Sequence, residues 1–149
     1  MTHTTGPAAE IAERLRAAME SKDKHAFVDE FAEDGVYELP FALEGAPSRF
    51  EGLETIRPLL TRDNPMSQLL DIRKVSVDVH QSTDPDVMTV EFTVEGENSA
   101  SGEPFSFPSS IGVVRVRDGK IVHYRDYPSS LRGAQCAGML KQYAEMLAK

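Results

Sequence analysis

The sequence has few of the features that mark secreted, membrane or nucleic-acid-binding proteins. Its single cysteine, Cys136, has no partner for an internal disulfide. No stretch approaches the roughly 20 apolar residues of a membrane-spanning helix, and residues 1–10 lack the basic region and apolar run of a secretion signal. Only 16 Lys and Arg stand against 24 Asp and Glu, which gives a formal net charge of -8. These absences predict a cytoplasmic protein that binds neither membranes nor nucleic acid.

Metal-binding patterns are absent as well. His3, His25 and His80 are scattered without the spacing of a ligand motif, and the acidic residues show no ordered coordination pattern. No histidine lies near Cys136 in sequence, so we interpret that cysteine as a small apolar residue and not as a nucleophile. We therefore predict no metal and no other cofactor.

The composition is that of one globular domain, with 149 residues that are 40% hydrophobic and 27% charged. Helical spacing of apolar residues comes first along the chain, and a period of two follows from Leu69. Helices followed by a meander of strands favour an α+β fold over parallel winding. We predict a helix with Thr5 as cap and Pro7 in its first turn that ends near Ser21, and helices over 23–31 and 53–62. Strands are predicted over 36–39, from Leu69 through Val79, and over 87–95, 105–117 and 120–127. A loop over 41–52 is expected to cover the pocket mouth, and a helical extension follows over 129–149. Gly133 and Gly138 leave open whether that extension is one helix or two.

The last hairpin decides which side chains share a face, and its Asp-Gly turn allows two registers. A two-residue loop pairs Arg117 with Lys120, whereas a three-residue loop with a glycine bulge pairs Val116 with Lys120. We favour the bulged loop. It places one set on a pocket wall, namely Ser110, Gly112, Val114, Val122, Tyr124 and Asp126. It places the other set on a face that suits a subunit interface, namely Ile111, Val113, Arg115, Arg117, Ile121 and Arg125.

Several short motifs resemble those of a known family. They are Phe31-Ala32-Glu33-Asp34, Phe50-Glu51-Gly52, Asp118-Gly119-Lys120-Ile121 and Tyr124-Arg125-Asp126-Tyr127. In these motifs the chain is similar, over roughly residues 8 to 135 and at a single-domain length, to SnoaL-like polyketide cyclases and limonene epoxide hydrolase of the nuclear transport factor 2-like superfamily. The resemblance implies a cone-shaped, curved and mixed sheet wrapped by helices around a pocket, in a homodimer.

The resemblance also implies roles for two residues. In both relatives the acid that matches Asp126 is a general acid/base, in aldol ring closure or in epoxide opening. Tyr37 matches a tyrosine that holds the nucleophilic water of the hydrolase. The remaining catalytic residues of the relatives are replaced in this sequence. Leu39, Glu91 and Thr93 stand where the hydrolase has its other catalytic residues, and Ser110 and Gly112 stand where the cyclases have theirs.

We therefore predict Asp126 and Tyr37 as the catalytic residues. The predicted substrate-binding residues are Tyr124, Ser110, Gly112, Leu39, Phe41 and Val114. Glu38 and Glu91 are minor candidates for a second acid, and His123 is expected on the outer face. The competing interpretation of Asp126 is an aspartate that pairs with an arginine or caps a backbone donor, and that of Tyr37 is a tyrosine that only packs in a strand.

The function predicted from these residues is an enzyme that acts on an apolar small molecule in a cofactor-free pocket. Proton transfer by Asp126 would serve cyclisation, isomerisation or epoxide opening, and the sequence does not choose among them. The alternative is a non-catalytic ligand-binding or assembly protein, since one fold hosts many functions.

Overall fold

The computed structural model describes residues 6–149 and shows a curved, unclosed sheet of six strands in the order β2-β1-β6-β5-β4-β3. The strands are β1 (Phe31–Glu38), β2 (Arg49–Glu51), β3 (Leu70–Gln81), β4 (Val87–Asn98), β5 (Pro104–Arg117) and β6 (Lys120–Pro128). Neighbouring strands are antiparallel except β1 and β6, which are parallel. The predicted α+β fold with a mixed, curved sheet is confirmed.

The helices precede β1, lie between β2 and β3, and follow β6. They are α1 (Pro7–Ser21), α2 (Lys24–Val28), α3 (Leu53–Thr61), α4 (Pro65–Leu69), α5 (Ser130–Cys136) and α6 (Leu140–Leu147). Ile11 and Leu15, which are four residues apart on α1, are buried in the core because this spacing places both on one face of the helix. No helix in residues 6–149 is long and apolar enough to span a membrane.

The start of the chain differs in detail from the prediction. Gly6 precedes the first turn of α1 without a side-chain cap, and Thr5, the predicted cap, lies outside the described residues. Asp23 caps α2 by accepting a hydrogen bond from the Ala26 amide, but the helix ends at Val28. Phe31 therefore begins a strand, and its prediction as a helical residue is wrong.

The segment between the predicted helix over 23–31 and the predicted strand over 36–39 is an irregularity within β1. The pairing of β1 with β6 shifts register between Phe31 and Val36, so the strand continues through the acidic residues and Gly35. A Cβ atom at Gly35 would approach the Ile121 carbonyl oxygen to 3.1 Å. Glycine thus permits the close approach of the two backbones at this bulge.

Two elements were missed and one question is answered. Strand β2 lies inside the predicted loop, and α4 begins at a capping box formed by Asn64 and Ser67. The extension after β6 consists of two helices, because Gly138 between them adopts a φ of 70° and ends the first.

The last hairpin combines features of both registers. Arg117 pairs with Lys120 across a two-residue loop, so the preference for a three-residue loop is wrong. The register then shifts beyond Val116 and skips Val122, after which Val114 pairs with Tyr124. This bulge lies within β6. It shifts the alternation of inward and outward side chains by one residue, as the three-residue loop was expected to do.

The bulge has one confirmed and one contradicted consequence. Gly112 pairs with Asp126, and the alternation places Ser110, Tyr124 and Asp126 on one face, as predicted. Ile121 lies before the bulge and is fully buried in the core, so its placement on the outer face is wrong.

Candidate active site

A cavity of about 530 Å³ lies between the inner face of the sheet and helices α1 to α4. Its inner end is formed by buried or half-buried residues of four strands, namely Tyr37, Phe92, Ser110, Tyr124 and Asp126. Its mouth is formed by polar residues, namely Lys22, Asp23, Lys24, Asp63, Ser67 and Gln68. Apolar side chains cover much of the wall between these ends, as is usual for small-molecule sites.

Asp126 and Tyr37 meet at the inner end because β1 and β6 are parallel neighbours. Tyr37 pairs with Tyr124 in the sheet, and its hydroxyl reaches along β6 to donate a hydrogen bond to Oδ2 of Asp126. The other oxygen, Oδ1, is buried and has no hydrogen-bond partner within residues 6–149. A buried carboxyl oxygen without a partner is uncommon and requires an explanation.

The environment of Asp126 changes its protonation. Burial raises the pKa of this carboxyl to about 6, although the hydrogen bond from Tyr37 acts in the opposite direction. Burial, followed by the charge and hydrogen bond of Asp126, raises the pKa of Tyr37 well above that of a free tyrosine. The tyrosine therefore remains a hydrogen-bond donor while Asp126 exchanges protons near neutral pH.

Aromatic rings surround this pair. The Tyr124 ring lies 5.8 Å from the ring of Tyr37 and 5.9 Å from that of Phe31, measured between centroids. Phe27 of α2 contacts the same group with its centroid 6.1 Å from that of Tyr124. These apolar neighbours exclude water from the carboxyl, which is the physical cause of its raised pKa.

The structure brings some of the predicted substrate-binding residues together. Tyr124 and Ser110 line the cavity. Gly112 lies behind the Tyr124 ring, because a Cβ atom there would approach the ring to 2.7 Å. Val114 is fully buried in the core.

Leu39 and Phe41 are not among the residues that line this cavity. Leu39 packs against the core at the end of β1. Phe41 is 81% exposed, and its ring lies 4.8 Å from that of Tyr127. Tyr127 follows Asp126 directly, and successive side chains of a strand point to opposite faces. Phe41 therefore contacts the outer face of the sheet and not the cavity.

Neither candidate for a second acid lies at the cavity. Glu38 pairs with Arg49 and with His123. Glu91 pairs with His80 at 2.6 Å on a half-exposed surface. Asp126 forms no ion pair within residues 6–149, so the interpretation of Asp126 as an arginine partner is not supported. No cluster of three or more metal-ligating side chains occurs in the same residues.

Sequence reasoning missed several residues of the cavity. Phe92 lies on the buried side of β4, and the alternation of Met88, Val90, Phe92 and Val94 carried the signal for its position. Lys24 at the mouth donates a hydrogen bond to Asp63 at 2.7 Å and so joins α2 to the segment after α3. This link gave no signal, because 39 residues separate its partners.

The curved sheet and the acid at the inner end of its cavity define a class of small domains built around one pocket. The chain belongs to the SnoaL-like domain family, which matches residues 12–124. This family membership agrees with the resemblance seen in the sequence motifs.

Two relatives and one solved structure are similar to this chain over most of its length. An uncharacterized PhzA/B-like protein of Pseudomonas aeruginosa is 32% identical over 94% of this chain and 96% of its own. The uncharacterized protein YesE of Bacillus subtilis is 34% identical over 80% of each chain. The crystal structure of a candidate isomerase from Bacillus subtilis aligns with a TM-score of 0.72 and 29% identity, over 89% of this chain and 94% of that one.

More distant structures share the fold. A Mycobacterium tuberculosis protein in complex with estradiol-17beta-hemisuccinate aligns with a TM-score of 0.60 and 17% identity, over 83% of this chain and 94% of that one. TerC co-crystallized with polyporic acid aligns with a TM-score of 0.62 and 16% identity, over 89% and 99%. An LEH-like epoxide hydrolase of Mycobacterium tuberculosis aligns with a TM-score of 0.56 and 22% identity, over 95% and 96%.

Proposed function

We propose that this protein is an enzyme that uses the Asp126 carboxyl to transfer a proton to or from an apolar small molecule held in the cavity. One observation carries the proposal: Asp126 lines the cavity, Tyr37 holds its Oδ2, and its buried Oδ1 has no hydrogen-bond partner within residues 6–149. A carboxyl oriented through one oxygen keeps the other for a reacting proton.

The pKa of Asp126 supports this role. A general acid/base is most effective when its pKa lies near the working pH. At a pKa of about 6 the carboxyl is mostly ionised at neutral pH, and its protonated form remains accessible. Asp126 therefore acts first as the base and then returns the proton as the acid. The reaction requires only protein side chains.

The cavity supports an apolar ligand of metabolite size. Its volume of about 530 Å³ lies in the usual range for small-molecule sites. Structures of the same fold hold estradiol-17beta-hemisuccinate and polyporic acid. Cyclisation, isomerisation and epoxide opening all begin or end with a proton transfer that one carboxyl can perform.

A second candidate is a ligand-binding protein without catalysis. It is favoured by the outward positions of Glu38 and Glu91, which leave Asp126 as the one carboxyl among the described residues at the inner end. Activation of water for epoxide opening usually needs a second polar group, and no second carboxyl lies at the inner end among the described residues. If no proton transfer is detected, the ligand-binding candidate is favoured.

Exchange of protons in D2O separates the two candidates. We would follow by NMR the loss of the α-protons of 2-tetralone, an apolar ketone, and the opening of cyclohexene oxide. The wild-type protein is expected to accelerate at least one reaction, and Asp126→Asn is expected to lose about a hundredfold or more. Glu91→Gln removes a charge on the outer face and serves as the matched control.

The outcomes are distinct. Acceleration that survives in Asp126→Asn would overturn the role of this carboxyl. Binding of either compound without acceleration by the wild-type protein would favour the ligand-binding candidate.

A further inference from the structure

The Tyr124 hydroxyl is a hydrogen-bond donor that has no partner among the residues the structure describes. The residue is 2% exposed, and its side chain lines the cavity. No hydrogen bond joins its hydroxyl to another residue between positions 6 and 149. Buried tyrosine hydroxyls normally find a partner, so this donor is available to a ligand.

Gly112 fixes where that hydroxyl lies. A Cβ atom at Gly112 would come within 2.7 Å of both Cζ and Oη of Tyr124, so any side chain there would displace the ring. Gly112 pairs directly with Asp126 across β5 and β6, and such partners have Cα atoms about 4.5–5.5 Å apart. The Tyr124 hydroxyl therefore lies beside the strand position that faces Asp126.

The two tyrosines of the site have different hydrogen-bonding states. The Tyr37 hydroxyl is committed to Oδ2 of Asp126, which makes Tyr37 a residue that orients the acid. The Tyr124 hydroxyl forms no hydrogen bond to a side chain within residues 6–149, although the centroids of the Tyr37 and Tyr124 rings lie only 5.8 Å apart. A ligand at the inner end of the cavity meets both a proton acceptor, Asp126, and a hydrogen-bond donor, Tyr124.

We propose that Tyr124 is a catalytic residue that donates a hydrogen bond to a substrate carbonyl oxygen, next to the carbon from which Asp126 removes a proton. This inference rests on the proposed function and narrows its substrate to an apolar ketone with an acidic C–H bond. Gly112 is a positioning residue, because it acts only through the Tyr124 ring.

The reaction step is balanced within the site. The C–H bond breaks, its proton forms an O–H bond with Asp126, and its electron pair moves into the C–C bond to give an enolate. The negative charge that develops on the oxygen is stabilised by the Tyr124 hydroxyl. Asp126 then either returns the proton to a different carbon of an enolate conjugated with a C=C bond, which isomerises the substrate, or gives it to the oxygen of a second carbonyl group as the enolate carbon attacks that group's carbon, which closes a ring.

Binding of an enolate mimic tests this role without turnover. In the intermediate Asp126 is neutral, so Asp126→Asn supplies the right background, and fluorescent 2-naphthols of increasing acidity supply the anionic oxygen. We expect affinity to rise with the acidity of the naphthol, and Tyr124→Phe in that background to lower it at least tenfold and to flatten the dependence. The ring remains in Tyr124→Phe, so the packing is kept. Tyr127→Phe on the outer face is the matched control.

Two further variants sharpen the result. Gly112→Ala is expected to weaken naphthol binding as Tyr124→Phe does, because it displaces the ring. Ser110→Ala removes the other hydroxyl predicted to bind substrate and is expected to change affinity less. Unchanged affinity in Tyr124→Phe, or a larger loss in Ser110→Ala, would overturn the assignment.

The result is separable from the proposed function. If the wild-type protein fails to exchange ketone protons but binds naphthols through Tyr124, the donor role stands and the catalytic proposal fails. If ketone proton exchange depends on Asp126 but naphthol affinity is unchanged in Tyr124→Phe, the proposed function stands and this inference fails. If both hold, Tyr124→Phe should also slow exchange by about a hundredfold.

Discussion

The hydroxyl of Tyr37 donates a hydrogen bond to Oδ2 of Asp126, although 89 residues separate the two in sequence. Two effects oppose each other at this carboxyl. Burial disfavours its charge and is the larger effect, whereas the hydrogen bond favours the charge. Tyr37 therefore limits how far the pKa of Asp126 rises, and its removal should be measurable as a change in that pKa.

Tyr37→Phe should raise the pKa of Asp126 further above 6. A hydrogen bond to a charged group contributes about 1.5–3 kcal/mol, so we expect an increase of about one pH unit or more. Carboxyl ¹³C chemical shifts followed through a pH titration give this value directly. Tyr127→Phe, one residue from Asp126 in sequence, is the control. A lower or unchanged pKa in Tyr37→Phe would show that the hydrogen bond does not stabilise the charged carboxyl.

The stability of the protein should depend on the protonation of Asp126. Its pKa is about 6 in the folded protein against 3.8 for an ordinary aspartate, so the folded state binds more protons between these values. The free energy of unfolding should fall as the pH rises through this window, by about 1–3 kcal/mol from this group. Asp126→Asn removes the effect and should exceed the wild-type protein in stability at pH 7.

Urea unfolding of both proteins between pH 4 and pH 8 gives the comparison. The informative quantity is the difference between the two free energies, because other groups contribute similarly to both. We expect the advantage of Asp126→Asn to shrink towards pH 4. An advantage of equal size at every pH would exclude the titration of Asp126 as its cause.

Two glycine substitutions should have opposite effects on stability. A Cβ atom at Gly96 would lie 2.0 Å from the carbonyl oxygen of Asp71, a backbone atom that cannot move alone. Gly96→Ala should cost about 1–3 kcal/mol or more, as other overpacked sites do. Gly133 lies inside α5 with its nearest atom at 3.6 Å, so Gly133→Ala should be neutral or stabilise by up to about 1 kcal/mol. The midpoints of urea unfolding measure both, and equal midpoints would contradict the steric argument at Gly96.

The homodimer remains a prediction that solution measurements can test. Ile111 lies opposite Tyr127 on the outer face of β5 and β6 and is 42% exposed. If this face joins two subunits, Ile111→Glu should shift the protein from dimer to monomer in sedimentation velocity. Met146→Glu, on the exposed side of α6, should leave the dimer intact. A wild-type monomer would contradict the prediction outright.

The sequence predicted the acid and its face because a period of two leaves little freedom along a strand. Tyr124 and Asp126 alternate with outward residues along β6, and the bulge at Val122 then brings Ser110 of β5 to the same wall. Ile121 was misplaced because a bulge at Val122 shifts the alternation by one residue. Hydrophobicity gave no signal for that bulge, since Ile121 and Val122 are both apolar.

The remaining differences arise from tertiary contacts. Phe31 lies three residues after the end of α2, and its position in a strand depends on pairing with Ile121, which is distant in sequence. Phe41 was predicted at the pocket because it begins the loop expected to cover the pocket mouth, yet it contacts Tyr127 on the outer face. Neither contact can be read from local spacing.

The parallel pairing of β1 with β6 has a consequence for when this site comes into existence. The acid lies on a strand that begins at Lys120 of 149 residues, and its donor lies on the first strand. Pairing between such distant segments carries the cost of closing a long loop and tends to form slowly. The ribosome must release the chain through β6 before Tyr37 meets Asp126, so a ligand that needs both residues binds only after the first strand has paired with the last.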